Sequence, residues 1–75
     1  MDDLNEVIAA TLQVPVESVP DDGTMESVPN WDSIGHLNLV MTLESRYKVK
    51  FTLDDILAMR DVPAIRRTIA ARTGG

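Results

Sequence analysis

Residues 31–47 read WDSIGHLNLVMTLESRY, and this stretch decides the fold. Asp32 is suited to cap a helix that starts at residue 33, because a carboxylate there accepts hydrogen bonds from backbone N–H groups and favours the positive end of the helix dipole. Apolar residues then recur with the 3.6-residue period of a helix. The residues that follow this spacing or widen the stripe are Ile34, Leu37, Leu39, Val40, Met41 and Leu43. The pattern predicts a central helix over residues 33–47, with Ser33 exposed at its first position.

The residues before this helix predict a shorter helix and a long loop. Apolar residues recur at helical spacing between residues 4 and 12, and Asp3 and Glu6 are placed as a capping box, which predicts a helix over residues 3–13. Residues 14–31 contain three prolines and cannot form one regular element. We expect this loop to pack on the core through Val16, Val19, Met25 and Val28.

The residues after the central helix predict a short helix and a final longer one. Thr52 and Asp54-Asp55 start a helix of two turns or fewer that runs through Met59, and apolar Val49 and Phe51 anchor the connection before it. Asp61, followed by Val62 and Pro63, starts the last helix. Its inward residues are Val62, Ile65 and Ile69, and its outward residues are Arg66, Arg67 and Arg72. The chain is therefore predicted to be one all-α domain over residues 1–75. We expect a small four-helix bundle with three main helices, one short helix and a long loop between helices 1 and 2.

Charge is distributed unevenly along the chain. Residues 1–45 contain nine acidic residues and no lysine or arginine, so this part carries −9, whereas residues 46–75 carry +4, giving −5 in total. The acidic part repels nucleic-acid phosphate and steers the chain toward partners that present basic patches. We therefore expect protein partners and no nucleic acid, although an acidic surface also simply aids solubility.

Several classes of protein are excluded by composition. The chain has no cysteine and one histidine, so neither disulfides nor the usual zinc clusters are expected. The N-terminus lacks the positive region of a secretory signal, and no apolar run approaches the roughly 20 residues that span a bilayer. We expect a monomeric cytoplasmic protein that does not insert into membranes. At 75 residues the domain is too small to enclose a large active site.

From Asp32-Ser33-Ile34 through the central helix, the sequence resembles the acyl carrier protein family, whose attachment motif is Asp-Ser followed by an aliphatic residue. The resemblance runs without an apparent gap from Asp32 to about Ile69. It implies that the bundle is of the acyl-carrier type. It also implies that Ser33 receives 4′-phosphopantetheine from coenzyme A through a separate magnesium-dependent phosphopantetheinyl transferase. Acyl groups would then travel on the arm as thioesters between biosynthetic enzymes, and the chain itself would not be an enzyme. By this resemblance Asp32 and Ile34 flank the attachment site, and His36 is expected to be a surface residue beside the arm.

Two further features concern partners and cargo. Fatty-acid carriers often have a strongly acidic central helix, but here Glu44 is the chief acidic residue of that helix. The residues around the Asp-Ser pair, with Trp31 before it and Gly35-His36 following, resemble stand-alone carriers of specialised pathways. The family's cargo can fold back between the central helix and the last two helices. The matching positions, which predict a small acyl pocket for short or polar cargo, are Leu37, Val40, Phe51, Ile56 and Met59. Each of these residues, taken singly, is also typical of plain core.

Other functions remain open on the sequence. A peptidyl or aminoacyl carrier shares the same motif, and an adaptor domain would use the four helices only to bind another protein. A Ser33–His36 hydrolase pair is disfavoured, because no nucleophile-elbow motif such as G-x-S-x-G occurs. Trp31 is expected to be a packing anchor that fixes the loop before Ser33.

Overall fold

A computed structural model describes residues 4–73 of the chain, in which four α-helices are found. They are α1 (Leu4–Leu12), α2 (Ser33–Tyr47), α3 (Leu53–Ala58) and α4 (Val62–Thr73), with a 3-10 helix at Val16–Ser18. Within residues 4–73 no strand forms, and only Thr24 and Asp61 make an isolated antiparallel bridge. The all-α prediction is confirmed at this level. None of the helices in this range has the length and apolar character needed to cross a bilayer.

The ends of the main helices follow from local chemistry. The predicted bounds of α2 are confirmed, since Asp32 caps it, and the helix ends where Lys48 adopts a left-handed φ of 56° and its N–H donates to the Glu44 carbonyl. α1 ends one residue earlier than predicted, because Gln13 is left-handed at φ 61°. The predicted capping box of α1 involves Asp3, which lies outside the described residues.

α3 is short and firmly capped at its start. Thr52 and Asp55 form a capping box, in which the Thr52 hydroxyl accepts from the Asp55 N–H and the Asp55 carboxylate accepts from the Thr52 N–H. The helix has six residues, which agrees with the predicted two turns or fewer, and none of them is fully buried. It therefore lies on the surface of the core and not within it.

The core is formed by one cluster of buried residues from the long loop and from α1, α2 and α4, with Met59 between α3 and α4. Its most completely buried side chains are Ile8, Val19, Leu39, Leu43, Met59, Val62 and Ile65. The predicted apolar stripe of α2 is only partly buried: Leu39, Val40 and Leu43 face the core, whereas Ile34, Leu37 and Met41 are 58–71% exposed. The helix is apolar on more than one face, so its period alone does not determine which face is buried.

The long loop is packed, as predicted, through Val19 and Val28, which are buried, and through Met25, which is half-buried against the core. Val16 is an exception, because it lies 41% exposed on the 3-10 helix. Two hydrogen bonds tie the loop to the α3–α4 connection: the Met25 N–H donates to the Arg60 carbonyl at 3.0 Å, and the Val62 N–H donates to the Gly23 carbonyl at 2.9 Å. The loop thus brings Met25 beside α3.

Candidate functional site

Ser33 lies where the sequence predicts, at the first residue of the longest helix, and it is exposed. Among residues 4–73 its hydroxyl has no hydrogen-bond partner, and the same holds for the backbone N–H groups of Ser33 and Ile34. Asp32 caps the helix, with its Oδ1 accepting from the Gly35 N–H at 2.9 Å. The site therefore presents a free hydroxyl beside the positive end of a helix dipole, next to one carboxylate.

The start of α2 is fixed by close packing on the preceding loop. A Cβ atom on Gly35 would collide with the carbonyl oxygen of Asn30 and come within 3.0 Å of a Leu12 methyl group. Asn30 has a left-handed φ of 67°, and its side-chain N–H donates to the Leu12 carbonyl at 2.9 Å. Glycine at position 35 allows α2 to approach the loop this closely, which sets the position of Ser33 two residues earlier.

His36 joins three parts of the molecule. The buried Trp31 donates its indole N–H to His36 Nδ1 at 3.0 Å, and His36 Nε2 lies 2.9 Å from the Ile56 carbonyl oxygen on α3. Because an indole nitrogen only donates, Nδ1 must accept, so the neutral ring carries its proton on Nε2 and donates it to Ile56. The two rings are stacked with centroids 6.1 Å apart.

This geometry changes the expectation for His36. The side chain is half-buried in the wall of the groove beside Ser33, and both ring nitrogens are engaged within the protein. Neither nitrogen is free to take a proton from the Ser33 hydroxyl as a general base would. Trp31, which is 3% exposed, is confirmed as the packing anchor of the loop.

An open groove of about 440 Å³ lies beside Ser33, between α2 and α3. Its wall is mainly apolar, and its polar contributions come from Ser33, His36 and Arg60. The complete lining is Met25, Ser33, His36, Leu37, Leu53, Ile56, Leu57 and Arg60. A groove of this size and character is suited to a small, mainly apolar ligand.

Of the five residues predicted for an acyl pocket, only Leu37 and Ile56 line this groove. Val40 and Met59 lie in the core with exposures of 5% and 0%, and Phe51 packs against the core from the α2–α3 connection. None of these three residues lines the groove. Their reading as plain core residues is the one that the packing supports.

Sequence reasoning missed four residues of the groove: Met25, Leu53, Leu57 and Arg60. Leu53 and Leu57 are spaced i, i+4 on a helix of only six residues, and they are 69% and 63% exposed. The sequence could have indicated them, because this short helix has more apolar residues than one buried face can hold. Arg60 gave no such signal, because its place depends on a contact with the distant Met25.

Two pairs of oppositely charged residues lie near the groove. Arg72 on α4 donates two hydrogen bonds of 2.8 Å to the carboxylate of Asp55 on α3, and these bonds, helped by the Thr52 N–H, lower the pKa of Asp55 to about 2. Arg60 Nη2 lies 3.8 Å from a Glu26 carboxylate oxygen, with both side chains largely exposed. The first pair fixes α3 against α4, whereas the second is loose.

Glu44, expected to be the chief acidic residue on the outer side of α2, is half-buried, and its carboxylate accepts from the Phe51 N–H at 2.9 Å. The acidic residues shown near the site are Asp32, which caps α2, and Glu26, which lies 3.8 Å from Arg60 of the groove wall. Within residues 4–73 no group of histidine and acidic side chains is arranged to hold a metal ion.

Comparison of the sequence with models of known protein families and with curated proteins finds no match to either. A functional assignment therefore depends on the residues and geometry of the site itself.

Proposed function

We propose that the chain is an acyl carrier protein of the stand-alone type, which carries acyl groups on a 4′-phosphopantetheine arm attached at Ser33. The observation that supports this most directly is the position of Ser33, an exposed and unpartnered hydroxyl at the start of α2 that opens onto an apolar groove. The Asp32-Ser33-Ile34 sequence at this position resembles the attachment motif of the family. When attached, the arm supplies the thiol on which acyl groups are held as thioesters.

The residues at the start of α2 suit this modification. A separate phosphopantetheinyl transferase would join the Ser33 Oγ to the phosphorus of the phosphopantetheine half of coenzyme A; the pyrophosphate bond breaks, adenosine 3′,5′-bisphosphate leaves, and the hydroxyl proton passes to a base. The phosphodiester would then lie beside the free N–H groups of Ser33 and Ile34. Asp32 opposes it by charge but fixes the helix start, so that the hydroxyl stays outside the core.

In this proposal the chain is not itself an enzyme. His36 is the single histidine of the sequence, and both of its ring nitrogens form hydrogen bonds, one with Trp31 and one with Ile56. Its role is to hold the loop, α2 and α3 together around the attachment site. Chemistry on the cargo would be performed by the enzymes that dock the carrier, and the tether would raise the cargo's effective concentration at each of them.

The partners of such a carrier would meet a surface of mixed character. Acidic residues of the loop, Glu26 among them, favour enzymes with basic docking patches. Leu37, Leu53 and Leu57 surround the site with exposed apolar area, so an apolar contact is expected at the centre of each docked complex. We expect the carrier to act as a cytoplasmic monomer that exchanges between its transferase and the acyl-loading and acyl-transferring enzymes.

The decisive experiment is intact mass spectrometry after incubation with coenzyme A, magnesium and a broad-specificity phosphopantetheinyl transferase. We expect the wild-type chain and Ser45→Ala, a matched change at an exposed serine on the same helix, to gain one phosphopantetheinyl group. Ser33→Ala should gain none. If the folded wild-type chain gains no mass, the carrier proposal is wrong.

Two alternatives make different predictions. A peptidyl or aminoacyl carrier would be modified in the same way, and only a screen of loading enzymes with acyl and aminoacyl substrates separates it from an acyl carrier. An unmodified helical adaptor is favoured by the exposed apolar residues of α2 and α3, which suit a protein–protein contact. It would bind its partner equally well with alanine at position 33.

A further inference from the structure

We infer that the groove beside Ser33 is selective for acyl groups that carry a carboxylate, and that Arg60 is the residue that recognises it. This inference rests on the proposed carrier function and names the class of cargo. Among the described residues, Arg60 is the only lysine or arginine in the wall of a groove that is otherwise mainly apolar. An apolar wall with one guanidinium fits an apolar chain with an anionic group.

Arg60 is available to a ligand, unlike the other polar groups of the wall. His36 uses both of its ring nitrogens within the protein, and Ser33 is the attachment point. The backbone of Arg60 is held in place, since its N–H donates to the Ala58 carbonyl and its carbonyl accepts from the Met25 N–H. Its guanidinium has only the loose contact to Glu26 at 3.8 Å, with 66% and 77% of the two side chains exposed. An exposed pair at this distance contributes little and exchanges readily for a better partner.

The carboxylate is assigned to the cargo and not to the arm's own phosphodiester. A phosphodiester on Ser33 would already have the free N–H groups at the start of α2 as donors. The apolar residues Leu37, Ile56 and Leu57 add nothing to recognition of a phosphate, but they cover the methylene groups of an acyl chain. The groove as a whole therefore matches a dicarboxylic half-thioester, or another acyl chain with an acidic end.

The test compares two cargoes of equal size on the modified chain: adipoyl, which ends in a carboxylate, and its terminal amide, which is neutral. The ratio of docked to undocked cargo is measured from the NMR shifts of the Leu37, Ile56 and Leu57 methyl groups. We expect adipoyl to dock about threefold more than the amide, as befits an ion pair at a largely exposed site. The ratio of adipoyl docking to amide docking should fall toward one in 1 M salt, where the Debye length is only about 3 Å.

Three variants identify the residue responsible. Arg60→Gln should remove the preference for adipoyl, and Glu26→Gln should increase it because the competing carboxylate is gone. Arg67→Gln, which changes the net charge equally at an exposed position on α4, should leave it unchanged.

Failure of this inference and failure of the carrier proposal give different results. If mass spectrometry shows no modification at Ser33, the carrier function is wrong and the inference falls with it. If the chain is modified but adipoyl and its amide dock equally, or the preference persists in Arg60→Gln, only the inference is wrong. A ³¹P shift of the phosphodiester that depends on Arg60, without any cargo preference, would assign the guanidinium to the arm and also overturn it.

Discussion

The contact between Trp31 and His36 gives the sharpest prediction for the stability of the site. His36→Leu replaces the imidazole with an apolar side chain of moderate size and leaves the indole N–H of Trp31, a residue that is 3% exposed, without an acceptor. A buried donor without a partner costs about 1–3 kcal/mol. The Ile56 carbonyl on α3 also loses its donor, but this group is only partly buried and can accept a hydrogen bond from water instead. We therefore expect the free energy of unfolding to fall by about 2 kcal/mol, which lowers the melting temperature by about 10 °C in a domain of this size.

Urea denaturation followed by circular dichroism measures this loss, and a double-mutant cycle with Trp31→Phe isolates its cause. Phenylalanine has no N–H to satisfy, so in that background His36→Leu should cost about 1 kcal/mol less than in the wild type. His36→Gln, whose amide can both accept and donate, should recover part of the stability. If His36→Leu is as stable as the wild type, or costs the same in the Trp31→Phe background as in the wild-type background, the hydrogen bond does not stabilise the site as argued.

Three further changes test the surroundings of Ser33 and α3. Gly35→Ala should lower the free energy of unfolding by about 1–3 kcal/mol, despite alanine's better helix propensity, because the methyl group meets the Asn30 carbonyl; equal or greater stability in urea would show that the loop gives way freely. Asp32→Ala should cost about 1 kcal/mol and Asp32→Asn less, since asparagine still caps the helix, and thermal melts that do not separate the two would refute the capping argument. Because the pKa of Asp55 is lowered to about 2 in the folded chain, its contribution is fully present above about pH 4 and is lost as the pH falls toward 2. The stability advantage of wild type over Asp55→Asn should follow that window in acid titrations, and an advantage that is constant from pH 6 to pH 2 would contradict the pairing with Arg72.

The parts of the fold that local chemistry determines could be predicted from the sequence. Asp32 and Thr52 mark the starts of α2 and α3 because caps act on backbone groups within the next three residues. The exposure of Ser33 follows from its place directly after a cap. The burial of Val62, Ile65 and Ile69 on α4 could also be predicted from the sequence, since that helix has one apolar face opposite its arginines.

The parts that depend on distant contacts could not be predicted. α2 is apolar on its outer side as well as its inner side, so the predicted stripe did not separate Ile34, Leu37 and Met41, which are exposed, from Leu39, Val40 and Leu43, which are buried. The two partners of His36 are an indole on the loop and a backbone carbonyl on α3, and no spacing rule relates them. The burial of Val40 and Met59, two of the pocket positions implied by the family resemblance, likewise depends on the tertiary packing and could not be predicted from local sequence.

The two walls of the groove beside Ser33 differ, because α2 is anchored by three core residues whereas α3 is less firmly anchored. No residue of α3 is fully buried, and this helix is held to the rest of the protein by the partly buried Ile56 side chain, by Asp55 bonding to Arg72, and by the Ile56 carbonyl bonding to His36. A helix held by a few polar contacts can be displaced at lower cost than one whose side chains fill a core, because no cavity is left behind. The same lack of burial leaves Leu53 and Leu57 exposed beside Ser33. If the proposed arm is attached at Ser33, the limited burial of α3 would allow this wall of the groove to adjust to the arm and its cargo.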